Sequence, residues 1–368
     1  MLLNDQAKGV YPIAPTAFDA QGAIDTASMD RLTDFYVDIG ATGITVLGQL
    51  GEAPKLSHAE SISITRAMIQ RAAKLPVVVG VSAPGFASMR ALAQEVMAAG
   101  AAGVMIAPPN TLRTDDQIVS YYHQASEAIG TDIPIVLQDY PLTFSVQMSV
   151  GVIRRMVEDI PAIVMLKHED WPGLEKISAL RRFEAEGSMR HIAILCGNGG
   201  LFLDFELSRG ADGANTGYAF PDMLCDLVRL NKAGDLQAAH DLFDAHLPLL
   251  RYEQQAGIGL AVRKHILMRR GLLSCDAQRK PGARMSAQAV QEVVITGNPL
   301  SKSQSVNAVS SLSGQSLLQQ GQSTLGETLN QLPGVSSTYF GPNASRPIIR
   351  GFDGDRIRVL NNSGASMD

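Results

Sequence analysis

The stretch Ala162–Asp170, AIVMLKHED, decides the fold. It is an apolar run bounded by Pro161 before it and by charge after it, which reads as a buried parallel strand. Side chains alternate along a strand, so Ile163, Met165, Lys167 and Glu169 are expected on one face. That puts an amine and a carboxylate together at the carboxyl end of a buried strand. Taken alone, Lys167 is either a solvated strand end or a desolvated amine suited to Schiff-base chemistry. Its neighbours along the chain have to decide.

Upstream, the same rhythm recurs. Strands are predicted at Gly9–Phe18, Gly43–Gly48, Pro76–Val81, Gly103–Ala107 and Ile133–Asp139, and downstream at Ile192–Gly197 and Gly213–Gly217. Helical spacing falls between them, over Ser28–Ile39, Ser57–Ala73, Ser88–Ala99, Asp115–Ile129, Ser149–Glu158 and Leu174–Glu186. Ser57 and Glu60 form a capping-box pattern at the start of the second helix. Eight βα units over about 230 residues predict a (β/α)8 TIM barrel. An open doubly wound sheet would usually carry a glycine-rich dinucleotide turn after its first strand, and none is present. Helical patterns at Leu236–Tyr252 and Ile258–Arg270 follow the eighth unit as C-terminal helices against the barrel's flank.

The 368 residues carry 45% hydrophobic and 18% charged side chains, an ordinary balance for a soluble protein with a large core. A net charge of −5 gives no sign of a nucleic-acid partner. No apolar run is long enough for a transmembrane helix, and MLLNDQAKGV lacks the basic and apolar regions of a signal peptide. Cys196, Cys225 and Cys275 are widely spaced and show no metal-like pairing. The expectation is a cytoplasmic protein with reduced thiols, no metal and no cofactor.

Catalytic groups of such a barrel gather where strands end at the carboxyl face. After the second strand comes Gly48-Gln49-Leu50-Gly51-Glu52, whose paired glycines let backbone N–H groups approach an anion. The fifth strand ends in Gln138-Asp139-Tyr140-Pro141, with Gln138 and Tyr140 on one face. Tyr140 is either a core aromatic or a proton carrier, and Glu169 either a salt-bridge partner or a general base.

These pieces in this order resemble the dihydrodipicolinate synthase / N-acetylneuraminate lyase family, from about Gly9 to Pro281. The resemblance rests on the Gly-x-x-Gly-Glu turn at Gly48–Glu52, on Lys167, on Gly197 after the seventh strand, and on Gly210-Ala211-Asp212-Gly213 before the eighth. It implies that Lys167 condenses with a 2-oxo acid. Gly48, Gln49, Leu50, Gly51, Gly197 and Asn215 would bind the substrate, with Tyr140, Glu169 and Gln138 beside the lysine. It also implies a homo-oligomer, a tetramer or a dimer.

Departures narrow the resemblance. Gln49 and Leu50 stand where the family turn usually carries Ser or Thr, and Gln138 stands at the usual proton-relay tyrosine. The arginine that holds a second carboxylate in the true synthases falls near Thr143, and the tyrosine donated across a subunit interface near Asn110. A 4-hydroxy-tetrahydrodipicolinate synthase, condensing pyruvate with aspartate semialdehyde, would therefore miss several groups. The pattern looks closer to the branch handling 2-keto-3-deoxy sugar acids, including the 2-keto-3-deoxyarabonate dehydratases. That branch shares Gln-Asp-x-Pro on strand five, Lys-x-Glu on strand six, Phe220-Pro221-Asp222 and the Glu253–Ile258 pattern. Dehydration and C–C cleavage both remain open at this point.

Near Val290 the texture changes, and the chain divides into an expected barrel at 1–290 and a separate segment at 291–368. Ser301–Gly326 is rich in Ser, Gln and Gly. Glu-Thr-Leu at Glu327–Leu329, Leu-Pro-Gly-Val at Leu332–Val335 and the Arg350–Val359 string resemble the start of a TonB-dependent receptor plug domain. Short strands are predicted at Val335–Phe340, Pro347–Ile349 and Ile357–Leu360 in a truncated, poorly ordered unit. A receptor-associated binding module with a passenger barrel is the alternative function class.

Overall fold

The computed structural model describes residues 1–171, 173–286 and 290, together with four short strands nearer the C-terminus. The chain divides into two units, Met1–Pro299 and Leu300–Asp368.

The first unit is a parallel barrel. Its strands are β1 (Gly9–Val10), β2 (Ile44–Val46), β3 (Val77–Gly80) and β4 (Gly103–Ile106), then β5 (Ile135–Asp139), β6 (Ile163–His168), β7 (Ala193–Cys196) and β8 (Gly213–Ala214). Each strand pairs with the next from β2 to β8, and β8 pairs with β1. A parallel bridge between Ile13 and Thr45 joins β1 to β2 and closes the ring. The terminal strands are shorter than predicted, yet Tyr11 N–H still donates to the Ala214 carbonyl and Ile13 N–H to that of Thr216. Pro12 lacks an N–H and can only accept, which it does from Thr45.

Helices α1 (Thr26–Asp38), α2 (His58–Ala72), α3 (Phe86–Ala98) and α4 (Asp115–Ile129) follow the first four strands. The Ser57–Glu60 capping box opens α2 as expected, with both reciprocal bonds formed. The short helix α5 (Pro141–Phe144) was not foreseen, and the helix expected after the seventh strand, α8 (Leu203–Ser208), was given no bounds, because each is too short to show a period. Between them lie α6 (Val150–Asp159) and α7 (Leu174–Ala185), and α9 (Pro221–Ala233), α10 (Leu236–Glu253) and α11 (Gly259–Arg269) complete the unit.

Apolar side chains fill two spaces. The larger lies between the strands' outer faces and the helices, and the smaller, inside the ring, includes Tyr11, Val78, Met105, Val136, Met165 and Leu195. The pairing of β5 with β6 jumps from Ile135↔Ile163 to Val136↔Met165, so Val164 is an extra residue. This bulge corrects the expected face of the strand. Ile163 packs in the outer layer, whereas Met165 packs inside. Alternation holds only beyond the bulge, which is where Lys167 and Glu169 lie.

In the second unit, β9 (Val335–Ser337) pairs antiparallel with β10 (Pro347–Ile349), and β11 (Leu360–Asn361) with β12 (Gly364–Ala365). The predicted strands at Val335 and Pro347 are present there. The polar stretch Ser301–Gly326 and its expected poor order lie outside the described residues.

Candidate active site

Parallel register sets the inward-facing residues in rows. Gln138 pairs with Lys167, Lys167 with Leu195, and Leu195 with Gly213. One step nearer the mouth lie Tyr140, Glu169, Gly197 and Asn215, the last three held by backbone bonds from their N–H groups to Asp139, His168 and Cys196. Four strands thus aim the predicted residues at one place.

Lys167 is almost wholly buried, and its Nζ lies 3.1 Å from Glu169 Oε2. The same oxygen accepts from Gln138 Nε2 at 2.8 Å, while Glu169 Oε1 accepts from the Asn198 N–H at 3.3 Å. Gly197 leaves the room this requires: a Cβ there would stand 2.2 Å from Glu169 Cγ. The carboxylate is therefore fixed from three directions beside the amine, by groups on β5, β6 and the loop after β7.

Tyr140 closes β5 at the mouth. Burial raises its hydroxyl pKa, a hydrogen bond with Thr143 opposes this, and the charges of Glu169 and Arg263 act in opposite senses, raising and lowering it. Asn215 accepts from Thr45 Oγ1 at 3.0 Å through Oδ1, and its buried Nδ2 has no partner among the described residues.

The Gly48–Gly51 turn spends two of its N–H groups on itself, from Gly51 to Gly48 O and from Glu52 to Gln49 O. The Gln49 and Leu50 N–H groups donate to no protein group among the described residues. Glu52 holds the turn from beneath in a left-handed conformation, φ 55°. Its carboxylate accepts from Lys264 at 2.5 Å, Lys55 at 2.8 Å and the Arg279 N–H at 3.1 Å. Gln49's side chain is exposed, and Leu50 reaches toward Gly217.

Behind the inward rows, the outward side chains Asp139, His168 and Cys196 share a register. Burial pushes Asp139 up to about 6 against the pull of Lys176 2.7 Å away, and burial with the nearby Lys176 charge lowers His168 to about 4. Burial raises Glu206 to about 8 and also raises the Cys196 thiol that it contacts.

Sequence reasoning missed Arg263 and Lys264, and noted Glu253 only as part of a pattern, without a role. Lys264 is wholly buried against Glu52, and Arg263 is buried with its Nε 2.9 Å from Glu253 Oε2. Eight of the eleven residues of α11 are buried, so no polar face marks its charged side chains as internal.

Residues 6–296 match the Dihydrodipicolinate synthetase family. The chain belongs to that family. A crystal structure named as dihydrodipicolinate synthase from Rhodopseudomonas palustris is 61% identical, with a TM-score of 0.81, over 82% of this chain and 100% of that one. An L-2-keto-3-deoxyarabonate dehydratase from Azospirillum brasilense is 29% identical over 74% of this chain and 88% of its own length. A 4-hydroxy-tetrahydrodipicolinate synthase from Thiobacillus denitrificans is 27% identical over 66% of this chain and 80% of its own. These family members are named as enzymes, and the chain is a lyase of the family. Residues 301–367 match the TonB-dependent Receptor Plug Domain. No described helix is long and apolar enough to cross a membrane.

Proposed function

We propose that this lyase removes water from a 2-keto-3-deoxy sugar acid through a Schiff base at Lys167. The observation that carries the reading is the buried Lys167–Glu169 pair, with Gln138 bound to the same carboxylate oxygen.

The neutral amine attacks the C2 carbonyl, and loss of one water gives a protonated imine. The imine is an electron sink, so a C3 proton becomes removable, and Glu169 stands beside the lysine to take it. The resulting enamine pushes out the C4 hydroxyl, which leaves as water with a proton returned from Glu169 or Tyr140. Hydrolysis then restores the amine and frees a dehydrated 2-oxo acid. Gln138 cannot carry a proton in this sequence; it orients Glu169. The free N–H groups of Gln49 and Leu50 and the Asn215 amide are the substrate's expected donors.

The similarity to the Azospirillum dehydratase supports this choice, as does Thr143, which gives no cation for a second carboxylate. The names of the Rhodopseudomonas and Thiobacillus relatives favour a second reading, condensation of pyruvate with aspartate semialdehyde. We assign residues 1–290 to the catalytic barrel and 291–368 to a separate plug-like segment, and expect an oligomer of barrels in the cytoplasm.

The deciding experiment incubates the purified protein with a panel of 2-keto-3-deoxy acids, and separately with pyruvate plus aspartate semialdehyde. Loss of one water without pyruvate release supports the dehydratase. Pyruvate release would replace it with C–C cleavage, and efficient condensation would replace it with the synthase. Borohydride reduction in the presence of a 2-oxo acid should add at Lys167 the mass of the bound acid less one oxygen, since imine formation expels water and reduction adds two hydrogens.

A further inference from the structure

The turn expected to hold the substrate carboxylate has two free N–H groups but no hydroxyl side chain between its glycines, where Gln49 and Leu50 stand. No charge within the turn makes up the loss, since Glu52 is itself an anion and is bound below by Lys264 and Lys55. A cation does stand next to it, on an element far away in sequence.

Gly217 lies two residues after Asn215, so alternation turns its missing side chain to the same inward side. A Cβ built on Gly217 would stand 2.4 Å from Leu50 Cδ1 and 2.8 Å from Arg263 Nη1. The guanidinium of Arg263 therefore occupies the place that residue 217 leaves vacant at the barrel mouth, beside the turn. Arg263 is 2% exposed, and its Nη1 has no hydrogen-bond partner among the described residues. Its other edge is tied down: Nε donates to Glu253, which also accepts from the Ala219 N–H. A buried, charged donor left open is unfavourable in the empty protein, and an anion arriving at the mouth relieves it.

We propose that Arg263 is a substrate-binding residue whose Nη1 recognises the 1-carboxylate of the 2-oxo acid, alongside the Gln49 and Leu50 N–H groups. Glu253 is the positioning residue that presents the guanidinium edge, and Gly217 is the vacancy through which it reaches. The structure thus supplies, from α11, a charged contact that the hydroxyl-free turn does not itself carry. This inference rests on the Schiff-base reading given above, because it needs a 2-oxo acid at Lys167.

The test compares pyruvate with its neutral methyl ester, each trapped on the full-length protein by borohydride and read by mass at Lys167. Three proteins are used: native, Arg263→Lys, and the double variant Arg263→Gln/Glu253→Gln, which removes both buried charges together. Arg263→Lys keeps a cation for Glu253 and guards against a variant that fails to fold, and melting curves accompany each protein. The half-saturating pyruvate concentration should rise about tenfold to a hundredfold in the double variant, the range set by one charged hydrogen bond, and less in Arg263→Lys. The ester should be trapped at unchanged concentration in all three. An unchanged pyruvate-to-ester ratio in a folded variant overturns the assignment, as does an equal loss for both ligands. No adduct in the native protein would instead overturn the Schiff-base reading, and this inference with it.

Discussion

Lys167 Nζ and Glu169 Oε2 lie 3.1 Å apart on the same strand, both nearly excluded from water. Two residues of spacing put them on one face, and Gln138 from the neighbouring strand holds the carboxylate oxygen at 2.8 Å. A carboxylate so placed can accept a C3 proton once the imine has formed. Glu169→Gln keeps the shape and removes that capacity. Turnover should fall by roughly 10²- to 10⁴-fold, the usual worth of a positioned acid–base group, while borohydride trapping of the imine persists. A variant with near-native turnover would move the role to Tyr140, which Tyr140→Phe then tests.

Lys167→Arg retains a positive charge but cannot form an imine. Turnover and the trapped adduct should both disappear. Glu169 keeps a cationic neighbour, so the melting temperature should stay close to native. Measurable turnover with an intact fold would rule out the covalent route.

Gly197→Ala addresses the space rather than the chemistry. An added Cβ would lie 2.2 Å from Glu169 Cγ and 2.4 Å from Oε1, so the carboxylate has to move. A shift of about 1 Å at a reacting group costs on the order of a hundredfold in rate. The substitution should lower kcat far more than it raises KM for the 2-oxo acid. If kcat stayed within a factor of about two of native, Glu169 would not be the group whose position matters.

The barrel, and the place of Lys167 on a buried strand, were legible because both depend on short-range pattern: apolar runs of strand length, helical spacing between them, and charge at a strand end. Gln138, Lys167 and Glu169 converge because alternation on adjacent parallel strands is a local rule. Ile163 was assigned the wrong face because one bulged residue, Val164, shifts the alternation and leaves no mark in the sequence. Arg263 was hidden for a different reason. Its helix is buried on nearly all sides, and the vacancy it enters is made by Gly217, 46 positions earlier in the numbering. A glycine and an arginine so far apart carry no shared periodicity, so only the folded chain brings them together.

No residue described at the mouth lies beyond Arg279. A chain ending near Ala289 should therefore keep the native KM and kcat and melt within a few degrees of the full-length protein. A large loss of either would show that residues beyond Ala289 support the barrel.

Glu206 supplies a test of the core's electrostatics by pH. Burial raises its pKa from 4.5 to about 8, the Cys196 thiol contact opposes this, and the charges of Asp204 and Glu169 add to the rise. A carboxyl raised in the folded state binds a proton that the unfolded chain releases, so its contribution is complete below about 4.5 and is lost as pH climbs through about 8. Glu206→Gln stays neutral at every pH and escapes that loss. At pH 5 the variant should be no more stable than native, since both side chains are then uncharged in the fold. By pH 8.5 its advantage should approach a ceiling of roughly 4 kcal/mol, because each tenfold change in proton affinity is worth about 1.4 kcal/mol. His168 and Asp139 titrate in both proteins and largely cancel in the comparison. Melting curves from pH 5 to 8.5 should show the variant's Tm advantage growing steadily with pH. A difference that stayed flat would mean that Glu206 is already ionised in the folded protein at pH 5.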